Sequence, residues 1–304
     1  MSKRFDTLEE NTPMHHRILT YLLVLLATQL MSQSGTVVQS LEMHSETLSE
    51  NVKYSVYLPP GYHTSDESYP IVYLLHGYGG DETSWVVDGD VNRITSAAID
   101  TGLISPMVII MPNADNTWYV NDIDGNYKWS DMFFEELLPF VEDTFRIKAE
   151  KKYRGVAGLS MGGHGALLFS LQYPELFAGC VALSAGLWTE EAMLETPIAN
   201  YNKYFGHIFG MREENNPLSD HFTDNCVLTL MENDTIENLK TVAYWIDCGD
   251  DDFLTQVNAE LHILMKEREI PHEYRVRDGA HTWEYWRTGL TPGLMFLSQQ
   301  FDKF

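Results

Sequence analysis

Cysteine is scarce in this 304-residue chain, which has three: Cys180, Cys226 and Cys248. They form no Cys-x-x-Cys and no Cys/His spacing, which leaves no zinc site or redox pair to read. Cys180 and Cys248 lie in or at the end of apolar, strand-like runs, where a thiol behaves as a small buried hydrophobe. Positive charge is scarce as well: 20 Lys and Arg stand against 44 Asp and Glu, a formal net charge of −24. Nucleic acid and anionic membrane surfaces would be repelled, and no compact basic patch offsets this, so both are excluded as partners. A neutral or weakly charged substrate fits better. Internal repeats and low-complexity tracts are missing, and no apolar run reaches the ~20 residues of a comfortable membrane span. What remains is ample material for a core, 44% hydrophobic and 12% aromatic residues, so the chain reads as globular.

The N-terminus has a leader pattern. Arg17 precedes Ile18 to Ala27, an apolar stretch interrupted by Thr20 and Tyr21, and a small-residue exit follows through Ser32, Ser34 and Gly35. A basic residue, a short apolar run and small residues make a secretory signal. Residues 1–34 are therefore expected to be signal peptide and leader, with Met14 a candidate start and cleavage near Ser32 or Ser34. No cysteine follows the run to carry a lipoprotein anchor. The expectation is an exported bacterial protein, periplasmic or extracellular, with no stable membrane insertion after signal removal. A buried N-terminal helix and an uncleaved signal-anchor are the alternatives.

Beyond the leader, Val52 to Leu58 alternates and stops at Pro59-Pro60-Gly61, as a strand ending in a turn does. Continuous apolar runs at Pro70–His76, Met107–Met111, Tyr153–Leu159, Ala178–Leu183 and Thr241–Asp247 read as strands buried on both faces of a parallel sheet. Helical periods lie between and after them, over Val91–Ile99, Asp131–Phe145, Gly162–Gln172, Leu254–Glu269 and Trp283–Phe301. The alternation predicts an α/β fold, a mostly parallel central sheet with helices on both faces. Residues 35–304 would form one such domain, with two small domains as the alternative. Residues 187–240 break the rhythm between the sixth and seventh core strands and read as an insertion over the site.

Gly158-Leu159-Ser160-Met161-Gly162 fits a sharp strand-to-helix turn that would expose a serine, and Ser160 is the candidate nucleophile. By chance alone such a pentapeptide is common, so its weight comes from the acid and histidine found later in the chain. An acidic cluster, Asp250-Asp251-Asp252, comes just after a strand. All three could serve as the acid; Asp252 is preferred because Phe253-Leu254 follows it at a helix start. His281 sits in the loop Asp278 to Trp283, after the strand-like Glu273–Val276, and Gly279 and Ala280 leave room for its ring. Its competitor His164, in the first turn after the serine, is read as packing. In such sheets the loops at the carboxyl ends of strands converge, which would bring Ser160, Asp252 and His281 to one edge. Acyl transfer also needs oxyanion donors, for which the Met161 N–H is one candidate. The Gly-rich loop His76-Gly77-Tyr78-Gly79-Gly80 is placed to supply the second. Trp85, Trp118, Tyr119, Tyr127 and Trp129 fall in loops expected to border the site, where flat rings suit sugar and phenolic faces. Ordinary core filling is the alternative for each.

Leu75-His76-Gly77-Tyr78-Gly79-Gly80, Gly158-Leu159-Ser160-Met161-Gly162-Gly163, Cys248-Gly249-Asp250-Asp251-Asp252 and Gly279-Ala280-His281-Thr282-Trp283 together resemble the esterase D-type family of α/β-hydrolases. Glu135 to Pro139 also resembles the helix that precedes the nucleophile strand there. The family includes S-formylglutathione hydrolases, feruloyl and acetylxylan esterases of carbohydrate esterase family one, tributyrin esterases and mycolyltransferases. The resemblance covers residues 40 to 302 and implies a Ser160–His281–Asp252 triad, with the Tyr78 N–H as second oxyanion donor. It implies no metal and no cofactor. The leader favours esters met outside the cell, which makes acetyl or feruloyl groups on xylan the expected substrate. A tributyrin-type or S-formylglutathione-type esterase, acyl transfer to a sugar, and a non-catalytic carbohydrate-binding protein are the alternatives.

Overall fold

Eight strands form a single sheet in the computed structural model, which describes residues 34–214 and 216–302. Residues 1–33 of the expected leader lie outside the described residues. In chain order the strands are β1 (Thr36–Ser45), β2 (Glu50–Leu58), β3 (Ile71–Leu75), β4 (Val108–Pro112), β5 (Arg154–Leu159), β6 (Gly179–Leu183), β7 (Ala243–Gly249) and β8 (His272–Arg277). Their spatial order is β1-β2-β4-β3-β5-β6-β7-β8. The β1–β2 and β2–β4 pairs are antiparallel and all the others parallel.

The parallel centre follows from the apolar runs. Every residue of β3, β4, β5 and β6 is buried, which only a sheet covered on both faces allows. One face is covered by α1 (Val91–Asp100) and by α5 (Trp283–Phe301), which bury Val91, Ile94, Leu290 and Leu297 against Val72, Leu74 and Val181. The other face is covered by α2, α3 (Met161–Gln172) and α4 (Thr255–Glu267). Here α2 spans 129–144: its middle, Phe133–Leu137, widens to a π-helix between the α-helical turns Trp129–Met132 and Leu138–Thr144. Among the described residues no helix is long and apolar enough to cross a membrane.

Among the strands of the described residues, β1 alone is unannounced by the sequence pattern. Its alternation is interrupted where the register with β2 shifts between Val38 and Leu41, with Ser40 at φ 52°. Between β6 and β7 the described residues form six short helices, from Glu190–Glu195 to Ile236–Leu239. They bury Met193, Tyr201, Phe205, Phe209, Phe222 and Met231 in the same cluster as α3. Hydrogen bonds from the Trp118 indole to the Tyr204 carbonyl (3.0 Å) and from Ile123 N–H to the Ile208 carbonyl (2.8 Å) fasten this insertion to the loop that follows β4. The three cysteines are buried and unpaired.

Candidate active site

Ser160 stands between the end of β5 and the first residue of α3, at φ 54° and ψ −117°. A non-glycine residue at positive φ is strained and persists only where its surroundings hold it. The holding contacts are backbone ones: Ser160 N–H donates to the Leu183 carbonyl (2.9 Å), and its carbonyl accepts from Gly186 (2.8 Å) and His164 (3.0 Å). Glycine is required on either side because the chain passes so close to itself. A Cβ at Gly158 would run into the Gly162 backbone, and one at Gly162 into the Leu75 carbonyl.

The loops after β7 and β8 bring the other two groups to this serine. His281 Nε2 lies 3.0 Å from Ser160 Oγ, and its Nδ1 lies 2.8 Å from Asp252 Oδ2. The Asp252 side chain is wholly buried, while that of His281 keeps 20% exposure toward the cavity. Burial on its own would raise the Asp252 carboxyl. Hydrogen bonds from His281 and the Leu254 N–H outweigh it and hold the carboxyl below its ordinary value. The neighbouring aspartates are exposed and take other positions. Asp250 accepts from the Gly279 N–H (3.0 Å) and so braces the His281 loop, and the Asp251 N–H donates to the Gly279 carbonyl (3.0 Å).

The glycine-rich loop after β3 runs beside the serine, close enough that a Cβ at Gly77 would sit 3.4 Å from Ser160 Cβ. His76 shapes it. Its Nε2 accepts from the Ala114 N–H (2.9 Å), which leaves Nδ1 to carry the proton and donate to the Gly77 carbonyl (2.8 Å). Burial lowers the pKa of this imidazole, in keeping with that neutral form. Asn116 fixes the far side by accepting from the Gly79 N–H (2.7 Å). Tyr78 lines the same cavity as Ser160, and Met161 is the first residue of α3, directly after Ser160.

Three of the aromatics expected to border the site do not. Trp85, Tyr119 and Trp129 are 1%, 0% and 1% exposed. Each spends its polar atom on backbone beneath the loops: Trp85 Nε1 on the Leu75 carbonyl, Tyr119 OH on the His76 carbonyl and Trp129 Nε1 on the Asn113 carbonyl. Loop membership placed them near the site, but their rings turn into the core. Trp118 is also buried, packed on Phe205 and Trp188, although its ring reaches Tyr78. Tyr127 is half-buried and donates to Glu50. The aromatics that do face solvent here are others. Phe253 is 77% exposed with its ring 4.7 Å from the His281 ring, and Tyr78 meets Tyr204 of the insertion at 5.7 Å. Phe253 was legible only as the residue after the acid, and Tyr204 carried no signal.

A cavity of about 490 Å³ opens over Ser160 and His281, walled by Tyr78, Gly80, Asp88, Trp283 and Trp286. A larger one, about 840 Å³, lies at the amino ends of β6 to β8 and is lined by Ala178, Ala243 and His272. It holds no serine–histidine pair and lies at the opposite end of the strands from Ser160, so the smaller cavity is the one joined to the chemistry.

A strained serine at a strand–helix turn, met by a histidine and a buried carboxylate from later strands, defines an α/β-hydrolase site. Comparison with known proteins agrees. The family model described as "Putative esterase" matches residues 45–297. An acetyl esterase of Caldicellulosiruptor saccharolyticus is 26% identical over 78% of this chain and 86% of its own length. An endo-1,4-beta-xylanase/feruloyl esterase of Xylanibacter ruminicola is 32% identical over 54% of this chain, which spans only 24% of that longer protein. Among solved structures, a ferulic acid esterase superposes with a TM-score of 0.77 at 29% identity, covering 88% of this chain and 99% of the other. The chain belongs to this esterase family and is a carboxylic-ester hydrolase.

Proposed function

We propose that this protein is an exported serine esterase that cleaves acyl groups, acetyl or feruloyl, from carbohydrate such as xylan through an acyl-enzyme. The observation that carries the reading is the unbroken hydrogen-bond line from Asp252 through His281 to Ser160 Oγ, at 2.8 and 3.0 Å. In that line Asp252 fixes the His281 tautomer with the proton on Nδ1, which leaves Nε2 free to act as base. Nε2 takes the Ser160 proton as Oγ bonds to the acyl carbon, and the carbonyl oxygen gathers negative charge. The Tyr78 and Met161 N–H groups face that charge, each such donor being worth ~3–4 kcal/mol in other hydrolases. The C–O bond to the alcohol then breaks, and His281 returns the proton to the leaving oxygen. Water repeats the sequence on the acyl-enzyme, freeing the acid and restoring Ser160.

The substrate reading draws on the names carried by the relatives, an acetyl esterase and a feruloyl esterase among them. It also draws on the partly exposed rings of Tyr78, Tyr204 and Phe253 around the serine. Flat rings with a wet edge suit sugar and phenolic faces. The leader pattern favours export. The test is a panel of acetyl-xylan, methyl ferulate, short triglycerides and S-formylglutathione, with the Ser160→Ala variant beside it. The first two should be turned over fastest and the variant should be inactive. Faster turnover of S-formylglutathione would displace the substrate reading, and near-normal activity of the variant would displace the serine.

A further inference from the structure

Asp247, on β7, is wholly buried, and its carboxylate is filled from two elements. Arg277, the last residue of β8, donates from Nε to Oδ2 (3.0 Å) and from Nη2 to Oδ1 (3.0 Å), the forked geometry in which guanidinium and carboxylate match. Tyr285, in the first turn of α5, donates its hydroxyl to Oδ1. The two donors also hold each other, because the guanidinium carbon lies 4.1 Å from the centre of the Tyr285 ring. Arg277 Nη1 reaches α5 a second time, donating to Thr288 Oγ1 (2.8 Å). Gly289 makes room for this, since a Cβ there would come within 2.9 Å of Nη2.

What lies between these donors is the loop that carries His281. Arg277 enters it and Tyr285 follows it, so both ends of residues 278–282 are tied to one carboxylate. Asp247 in turn stands on the strand that runs on to Asp252, and the Asp250 N–H donates to the Arg277 carbonyl (3.1 Å). The loops of acid and base therefore leave their strands bonded side by side. The Tyr285 ring presses on Gly279, which stands at φ 141° and where a Cβ would lie 2.5 Å from the ring. Trp286, next along the helix, sets its ring edge-on to the His281 imidazole, with centroids 4.8 Å apart at 88°. From this arrangement we infer that Arg277 and Tyr285 are positioning residues for the ester hydrolysis, acting through Asp247 to hold His281 in place between Asp252 and Ser160. The inference rests on the Ser160–His281–Asp252 reading above. His281 has to meet two partners at once, and a loop pinned at one end alone could tilt about that end. Charged hydrogen bonds have fixed directions, so a fork and a hydroxyl on one buried carboxylate resist the tilt. Misplacing a catalytic group by ~1 Å costs about 100-fold in rate, even when the change lies far from the chemistry.

Arg277→Met keeps the apolar stem and removes the fork, while Tyr285→Phe keeps the ring against Gly279 and removes only the hydroxyl. Breaking a buried ion pair also destabilises, so the assay has to read the chemistry apart from the fold. With p-nitrophenyl acetate, below the Tm of each variant, Arg277→Met should lower kcat by about 10- to 100-fold and Tyr285→Phe by less, with KM near the parent value in both. Arg277→Lys keeps the charge but not the fork, and should fall between Arg277→Met and the parent. Proton NMR reads the base itself. The far-downfield signal of the His281 Nδ1–H bonded to Asp252, assigned by its loss in Asp252→Asn, should shift or broaden in Arg277→Met and Tyr285→Phe. If Arg277→Met does not fold, the same two readings on Tyr285→Phe decide. Folded variants that keep the parent kcat and an unmoved signal, with or without a lower Tm, make the network structural only and overturn the inference. Ser160→Ala runs in the same assay: activity surviving there would sink the triad reading, whereas an inactive Ser160→Ala beside unaltered Arg277 and Tyr285 variants sinks this inference alone.

Discussion

Asp252→Asn changes almost nothing in shape, and its effect can be worked out atom by atom. The carboxylate is wholly buried, with Oδ2 on His281 Nδ1 and Oδ1 on the Leu254 N–H. A backbone N–H can only donate, so an asparagine at 252 must put its amide oxygen toward Leu254. Its NH2 then faces His281. Nδ1 is forced to accept, the ring proton moves to Nε2, and a donor now points at Ser160 Oγ from 3.0 Å. The base that should take the serine proton is already occupied. The same reversal of tautomer costs about 10,000-fold in kcat in a serine protease, which corresponds to about 5 kcal/mol of barrier. Steady-state hydrolysis of p-nitrophenyl acetate reads this directly, with Asp250→Asn and Asp251→Asn as controls of equal charge change. Asp250 needs only an acceptor for the Gly279 N–H, which an amide oxygen supplies, so both controls should stay close to the parent rate. An Asp252→Asn enzyme retaining a tenth of wild-type kcat, or a control losing as much as Asp252→Asn does, would refute the assignment of the acid.

Three further outcomes are expected. Burial pushes His164 down to about 4, so the folded protein keeps it neutral while the unfolded chain binds a proton from about pH 6.5 downward. Its contribution is therefore full above pH 6.5 and is lost as pH falls toward 4, on the order of 3 kcal/mol, and urea titrations should show a shallower loss in His164→Gln across that window. Trp129→Ala should cost about 3–5 kcal/mol of stability, as large core deletions do, with KM of the folded enzyme unchanged; a raised KM at normal Tm would return this ring to the substrate site. Phe253→Ala should leave Tm within experimental error and raise KM for sugar-linked esters more than for methyl esters of the same acid, because the leaving group forms on the His281 side where this exposed ring stands.

The parallel centre of the sheet was legible because burial on both faces writes itself as unbroken apolar runs such as Ile71 to Leu75. The bulged β1 was not, since an interrupted alternation with many exposed positions has no clear period. Nor were the helices of the insertion, which are four to seven residues long and too short for a helical period to emerge. At the site, Ser160 announced itself through the glycines its tight turn demands, and the loop positions of Asp252 and His281 followed from strand order. Trp85, Tyr119 and Trp129 misled because sequence places a residue on a loop without saying which way its ring turns. His76 escaped notice for a related reason: its role depends on a hydrogen bond from the Ala114 N–H, far away in the chain.

The insertion departs after β6 and returns before β7, two strands that are direct neighbours, paired from Gly179–Ala243 to Leu183–Asp247. Because the pair is parallel, the excursion leaves the carboxyl end of β6 and has to return to the amino end of β7, so it crosses the length of the sheet. A crossover of this kind needs a dozen or more residues, and beyond that length each doubling of a flexible connection adds only about 0.6 kcal/mol. Ser160 precedes this excursion, while Asp252 and His281 come after it, beyond strands whose register the sheet sets. Residues 187–240 thus do two things at once: they carry the chain back across the sheet, and they pack Phe205, Phe209 and Met231 against the core that α3 shares, so a change in this segment is felt by the helix that begins at Ser160.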